Sequence, residues 1–208
     1  TGKTRKVEHS VSSNQRVIAG RYEVGNLIGR GGMADVYEGV DTRLGRTVAI
    51  KLLKADLAND PNFESRFRQE AQASARMAHP TIVRVYDAGE DVSVDSNGNT
   101  NRHPFIVMEY VAGTTLRPYC RADQLLSLEL IVEIGFKCAM ALDYCWRQGL
   151  IHRDVKPANI LATTDGDQIV DVRIALGGIA AKPWRALRAP VAPPGHRSIP
   201  ASGRGRRY

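Results

Sequence analysis

Residues 1–20 are polar and aperiodic and read as a flexible leader; from Tyr22 apolar and polar residues begin to alternate. Tyr22-Glu23-Val24 and Ala34-Asp35-Val36-Tyr37-Glu38-Gly39-Val40 show the alternation of half-buried strands, and Arg46 to Leu53 continues as a third strand. The glycine-rich turn between the first two predicts a hairpin. Asp60-Pro61 opens a helix in which Phe63, Phe67, Ala71 and Met77 fall near helical spacing. Two strand-like runs follow, Ile82 to Asp87 and Phe105 to Tyr110. The Asp-, Asn- and Ser-rich segment from Asp91 to Pro104 is expected to be a long solvated loop between them.

Ala112-Gly113 marks a break. Leu128 to Gln148 then forms a strongly amphipathic helix stopped at Gly149, and the short apolar strand Leu150-Ile151 leads into a polar loop. Two further strands bracket a turn at Thr164 to Asp167. The pattern predicts an α+β fold, a sheet-rich part over residues 21–111 followed by a helix-rich part over 112–176. Beyond Ala175 the periodicity dissolves. Residues 177–208 hold five of the ten prolines and five glycines, and a disordered tail is expected there.

Composition changes this picture little. Hydrophobic residues make up 43% and charged residues 25%, which argues against wholesale disorder. No apolar stretch approaches the roughly 18 residues of a membrane span. Cys120, Cys138 and Cys145 form no CxxC pair and have no histidine at metal spacing, so reduced thiols in a cytoplasmic setting are expected. The net charge of +7 is more informative once it is located. Residues 177–208 carry seven basic side chains and no acid, so residues 1–176 hold 22 of each sign. Aromatic residues are sparse in that basic segment, with only Trp184 and Tyr208, and nucleic acid is not the expected partner.

Four elements carry chemistry. Gly29-Arg30-Gly31-Gly32-Met33-Ala34-Asp35-Val36 is a GxGxxG-like loop with Ala34 at the third glycine. Such loops also open the helix of a dinucleotide fold, but strand residues follow this one through Val40. Its bare tip lets backbone amides approach phosphate oxygens. Val48-Ala49-Ile50-Lys51 then sets a lysine in an apolar strand, where a cation could meet adjacent phosphates. Glu70, in mid-helix, is either a surface charge or the carboxylate that pairs with Lys51. The most specific string runs from Ile151 through His152-Arg153-Asp154-Val155-Lys156-Pro157-Ala158-Asn159 to Leu161. In it Asp154 can accept the proton of an attacking hydroxyl, Lys156 can offset charge on a transferred phosphoryl group, and Asn159 can offer an amide oxygen to Mg²⁺.

In order, spacing and context, the loop at 29–36, VAIK at 48–51 and HRDVKPAN at 152–159 resemble protein kinases. RFRQEAQASARMAHPTIVRVYDAGE and GLIHRDVKPANIL look most like bacterial serine/threonine kinases of the eukaryotic type. The resemblance covers roughly Tyr22 to Ala175. It implies a two-lobed fold with a complete N-lobe and hinge and a partial C-lobe. It also implies ATP and Mg²⁺ as cofactors and a protein with a Ser or Thr acceptor as substrate. Ile28, Gly29, Gly31, Gly32, Ala34, Val36, Ala49, Lys51, Met108, Glu109 and Val111 would line the nucleotide site. Ala49 and Val36 would lie against adenine, Met108 would guard the back of the pocket, and the hinge would fall near Glu109 to Ala112. Asp154, Lys156, Lys51 and Glu70 would be the catalytic set and Asn159 a metal ligand. Arg153 would contact a phosphorylated activation loop.

The family pattern stops where a second metal-binding carboxylate, the Asp of Asp-Phe-Gly, is due. Two registers compete. Asp171-Val172-Arg173 keeps an aspartate and loses Phe and Gly. Alternatively Val172 to Ala175 is the incoming strand and Leu176-Gly177-Gly178 fills the motif, which the spacing of Val172 and Ile174 favours. No Ala-Pro-Glu motif follows, and the ending resembles the product of a reading-frame slip in a GC-rich gene. Helix 128–148 is therefore expected to keep an uncovered apolar face, and the isolated protein to be poorly soluble.

Overall fold

The computed structural model describes residues 16–94, 96–165 and 168–177, together with the backbone of 180–181. Most of the leader and of the basic tail lie outside the described residues. The first part is a six-stranded antiparallel sheet built from β1 (Val17–Ile18), β2 (Tyr22–Arg30), β3 (Ala34–Asp41), β4 (Arg46–Leu53), β5 (Val85–Val94) and β6 (Thr100–Glu109). Its spatial order is β1-β2-β3-β4-β6-β5. Strand twist curls this sheet until its two borders meet. The Ala19 amide donates to Asp91 Oδ1 at 3.0 Å, and the Tyr22 hydroxyl donates to Asp87. Inside the curl Ile18, Tyr22, Val48, Ile50, Leu52, Phe105 and Val107 form one buried cluster.

β1 lies inside the stretch read from sequence as a leader. Ile18 is fully buried, so ordered structure begins before Tyr22. The segment Asp91 to Pro104 also departs from expectation. It is no long loop: β5 and β6 form a continuous hairpin paired from Val85↔Met108 out to Val94↔Thr100. Turn chemistry around Gly98, which sits at φ 82°, reverses the chain. The arm projects into water, with Val92 and Val94 exposed, so its backbone ladder forms without the apolar alternation that would have announced it.

Helix α1 (Pro61–Ala75) packs on the convex face of the sheet. Asp60 caps it by accepting the Asn62 amide at 2.9 Å, and Pro61 supplies the preset first turn. Phe67 and Ala71 bury against Ala34, Leu53, Ala58 and Ile106.

The second part was expected to be helix-rich, but among the described residues its one α-helix accompanies five short strands. After β7 (Gly113–Thr115) come α2 (Leu128–Arg147), β8 (Leu150–Ile151), β9 (Ile160–Asp165), β10 (Gln168–Ile174) and β11 (Ala180–Ala181). A three-stranded sheet has the order β10-β9-β7, and β11 pairs with β8. β11 thus places a short ladder inside the segment expected to lack structure. Ser127 caps α2 by accepting the Leu130 amide, and Gly149, at φ 82°, terminates it with its amide on the Trp146 carbonyl. Ile134, Cys138, Ala141 and Cys145 form its inner face, packed on Leu116, Ile160, Val172, Ile174 and Leu176. The cysteines are free thiols, and burial pushes those of Cys138 and Cys145 up from their ordinary pKa. The opposite face is open, with Leu128, Ile131, Val132, Phe136 and Met140 all exposed. No helix among the described residues is long and apolar enough to cross a membrane.

Beyond the covalent link from β6 to β7, noncovalent contacts join the parts. One is a short parallel bridge, in which Ile174 donates to the Thr81 carbonyl at 2.7 Å and its own carbonyl accepts from Val83 at 3.0 Å. Ala78 also donates to the Tyr144 hydroxyl on α2 at 3.2 Å.

Candidate functional site

Strand periodicity decides which side chains share a face. The register pairs Val36 with Lys51, Lys51 with Ile106 and Ala49 with Met108. Those side chains therefore line the face opposite the buried interior of Val48, Ile50 and Leu52. Above them the β2–β3 hairpin turns through the glycines. Gly31 closes it by donating to the Ala34 carbonyl at 3.0 Å, and a Cβ on Gly31 would stand 2.7 Å from that oxygen. The tight turn thus requires glycine at 31. At Gly32 a Cβ would meet nothing within 4 Å, so its bareness leaves open space. Gly29 sits opposite Val36, Ala34 is buried, and Ile28 is exposed near the loop.

The helical phase of α1 turns Phe67, Glu70, Ala71 and Ser74 inward. Glu70 is buried, and its carboxylate pairs with the Lys51 ammonium, which also lies 5.8 Å from the Phe67 ring centroid. Sequence left Glu70 open between a surface charge and this partner; the structure gives the partner.

At the end of β6, Met108 packs against the cluster beneath α1. The Glu109 amide donates to the Arg84 carbonyl at 2.8 Å, and its carboxylate accepts the Arg84 amide at 3.2 Å. That carboxylate also lies 3.5 Å from Arg173 Nε on β10. Its side chain is therefore committed to tying the two parts together. Val111 follows, partly buried, in the link to β7.

The loop between β8 and β9 is held from several sides. His152 is buried; its Nε2 contacts the Ala175 carbonyl at 3.1 Å, and the Asp154 amide approaches its Nδ1 at 3.3 Å. An imidazole with its proton on Nε2 satisfies both contacts. Arg153 adopts φ 61°, left-handed backbone that a side chain enters only when its surroundings enforce it. Leu116 donates to the carbonyls of Pro157 and Ile160, and a Cβ on Gly113 would fall 1.9 Å from the Ala162 carbonyl oxygen, so β7 presses closely on β9. A single 3₁₀ turn at Pro157–Asn159 brings Asn159 back to Asp154. Asn159 Nδ2 donates to the Asp154 carbonyl at 2.8 Å and to its Oδ2 at 2.9 Å, while Lys156 Nζ lies 2.8 Å from the same oxygen. The hydrogen bond from Lys156, then that from Asn159, holds the Asp154 carboxyl below the usual carboxylate range.

Comparison with known proteins matches residues 22–183 to the protein kinase domain. The chain belongs to the protein kinase family. A probable serine/threonine-protein kinase PknB of Bifidobacterium longum is 48% identical over 167 residues, covering 80% of this chain and 24% of that protein. A probable serine/threonine-protein kinase of Streptomyces coelicolor is 50% identical over 161 residues, covering 77% of this chain and 23% of its own length. Among solved structures, the Mycobacterium tuberculosis PknI kinase domain is 34% identical with a TM-score of 0.62, covering 81% of this chain and 64% of that one. The chain thus spans about a quarter of the curated relatives' length and roughly two thirds of a kinase domain. The fold is the two-lobed kinase architecture, with the curled sheet as N-lobe and α2 with its small sheets as part of the C-lobe.

The kinase family implies ATP and Mg²⁺, and the residues fit the two unequally. An apolar face below a bare glycine turn, with a paired lysine, suits a nucleotide. The metal fares worse. β10 runs to Ile174 with Val172 and Ile174 inward, and Ile174 pairs with Ile160 directly after Asn159. Ala175 donates to the Asn159 carbonyl at 2.8 Å, so Leu176 comes next in line beside the loop, its side chain buried in the core. Asp171 pairs with Thr163, four residues past Asn159 and roughly 13 Å along the strand at ~3.3 Å per residue. Its carboxylate is engaged by Arg173 and by Lys137 of α2. No group of three or more His, Cys, Asp or Glu side chains among the described residues is placed to hold a metal ion. The donor set does not fit the family's metal site. Sequence missed the Arg173–Glu109 and Lys137–Asp171 contacts, which join residues distant along the chain and leave no local signal.

Proposed function

We propose that this chain is the nucleotide-binding and catalytic-loop part of a serine/threonine protein kinase, and that its surviving activity is ATP binding, with transfer to a protein Ser or Thr strongly suppressed. The observation that carries this reading is the Lys51–Glu70 pair, a buried carboxylate holding an ammonium on the same sheet face as Val36 and Ala49. A strand lysine that served only solubility would have no reason to be held by a buried acid.

Ile28, Val36, Ala49 and Met108 would bracket the base, and the backbone at Glu109 and Val111 would meet its edge. The amides of Gly29, Gly31, Gly32 and Ala34 would approach the phosphates, with Lys51 as their fixed cation. When bound, ATP supplies the transferable γ-phosphoryl group. Asp154, kept ionised by Lys156 and Asn159, would orient an acceptor hydroxyl and take its proton, and Lys156 would offset charge on the phosphoryl oxygens. In catalysis of this type, removing one electrostatic contributor typically costs about 10²–10³ in rate. With the metal carboxylate position occupied by Leu176, transfer should fall by at least that order.

Calorimetric titration of the full chain with ATP, beside a Lys51→Met variant, tests the binding. The expected result is saturable binding that the variant weakens by ~10-fold or more, about 1.4 kcal/mol. Equal affinity in the two proteins would refute the assignment of Lys51. Radiolabel transfer to a basic protein with Ser and Thr acceptors tests the suppression; turnover at the family's typical ~1 s⁻¹ or faster would refute it.

A further inference from the structure

Four residues at the phosphate end of the cleft bear on how a nucleotide would be taken up. Leu176, the residue brought beside the loop after β10, is buried in the core and offers no oxygen. Asp171, the aspartate nearest to it in sequence, is turned to Arg173 and Lys137 and paired with Thr163. Asp154 Oδ2 already holds both Lys156 and Asn159. Asn159 has given its amide nitrogen to Asp154, so its single carbonyl oxygen is all it can offer a cation.

A hard dication that sheds water reluctantly needs one or two free carboxylates beside the substrate's phosphates to gain anything on leaving solution. Here it would gain the neutral Asn159 oxygen and the second oxygen of Asp154, a carboxylate whose charge Lys156 already offsets. We infer that this cleft takes its nucleotide as the metal-free anion, with Mg²⁺ contributing nothing to affinity. The inference rests on the reading that ATP occupies the cleft. Charge on the phosphates is met by the Lys51 ammonium and by the backbone amides of the glycine turn.

The test is a pair of ATP titrations of the full 208-residue chain, one with excess Mg²⁺ and one with a chelator. A third measurement uses Mn²⁺ as the paramagnetic probe of protein-bound metal. The expected result is a Kd under the chelator equal to that with Mg²⁺ within ~3-fold, or tighter. Adding ATP should then produce no protein-bound Mn²⁺ signal, and Lys51→Met should weaken binding in both conditions. Tightening by Mg²⁺ of ~10-fold or more, or an ATP-dependent bound Mn²⁺ signal, overturns the inference and leaves ATP binding standing. Absence of binding in both conditions overturns the ATP reading and the inference with it. Binding that survives unchanged in Lys51→Met moves the nucleotide out of this cleft and overturns both.

Discussion

Asp154 shows how much of this loop is set by two neighbours. Lys156 and Asn159 converge on one carboxylate oxygen and hold the group below the ordinary aspartate pKa of about 3.9. Lys156, the larger cause, can be removed without touching the backbone contacts of the 3₁₀ turn. In Lys156→Ala the Asp154 carboxyl should titrate at higher pH, back toward the ordinary value, as followed by carbon NMR of a labelled carboxyl. A midpoint that stays put would assign the depression to the remaining neighbours, Asn159 first. The string from His152 to Asn159 was legible in sequence because several residue types of distinct chemistry stand at fixed offsets. The anchoring role of the His152 imidazole leaves no mark in sequence, since its partner is a backbone carbonyl 23 residues away. Backbone acceptors carry no residue identity.

Among the elements, α2 has the least balanced surroundings. Cys138, Ala141 and Cys145 are covered, whereas Leu128 is 71% exposed and Phe136 65% exposed on the other side. An open apolar stripe on a helix is a site of self-association. Phe136→Lys should reduce dye binding and shift elution toward the monomer while changing stability by no more than about 0.5 kcal/mol, because the side chain has little packing to lose. A large fall in melting temperature would mean that the face is covered in solution. Amphipathic periodicity made α2 plain in the sequence, and alternation did the same for β3 and β4. The β5–β6 arm stayed hidden because strands with water on both sides need no apolar pattern. β1 stayed hidden because two residues are too few to display a period. The rank of Asp171 against Leu176 was decided by ladder register, which sequence spacing favoured and pairing with β9 fixed.

At the scale of the molecule, acid stability should depend on the buried Asp41. Arg21 donates to both its oxygens, at 2.8 and 2.7 Å, and the Arg46 guanidinium lies 3.6 Å away while stacking over Tyr86. The hydrogen bonds from Arg21 outweigh desolvation and lower the Asp41 pKa. A carboxyl depressed in the folded state adds stability that is fully present above the unfolded value of about 3.9. That contribution is lost as pH falls through the lower folded value. The urea midpoint should therefore decline on acidification below that range, and Asp41→Asn should be less stable at neutral pH with a flatter acid limb. An unchanged limb would place the acid sensitivity elsewhere. The seam between Ala19 and Asp91 reaches further than the few atoms that form it. A sheet border offers its unpaired amides and carbonyls as a template for another chain, and here the Ala19 amide beside β1 is spent on Asp91 of β5. A polypeptide trimmed to begin at Arg21 would lose β1 as well, baring the edge of β2 that pairs through Val17↔Glu23 and Ile18↔Tyr22 and giving a neighbouring strand a rim to add to.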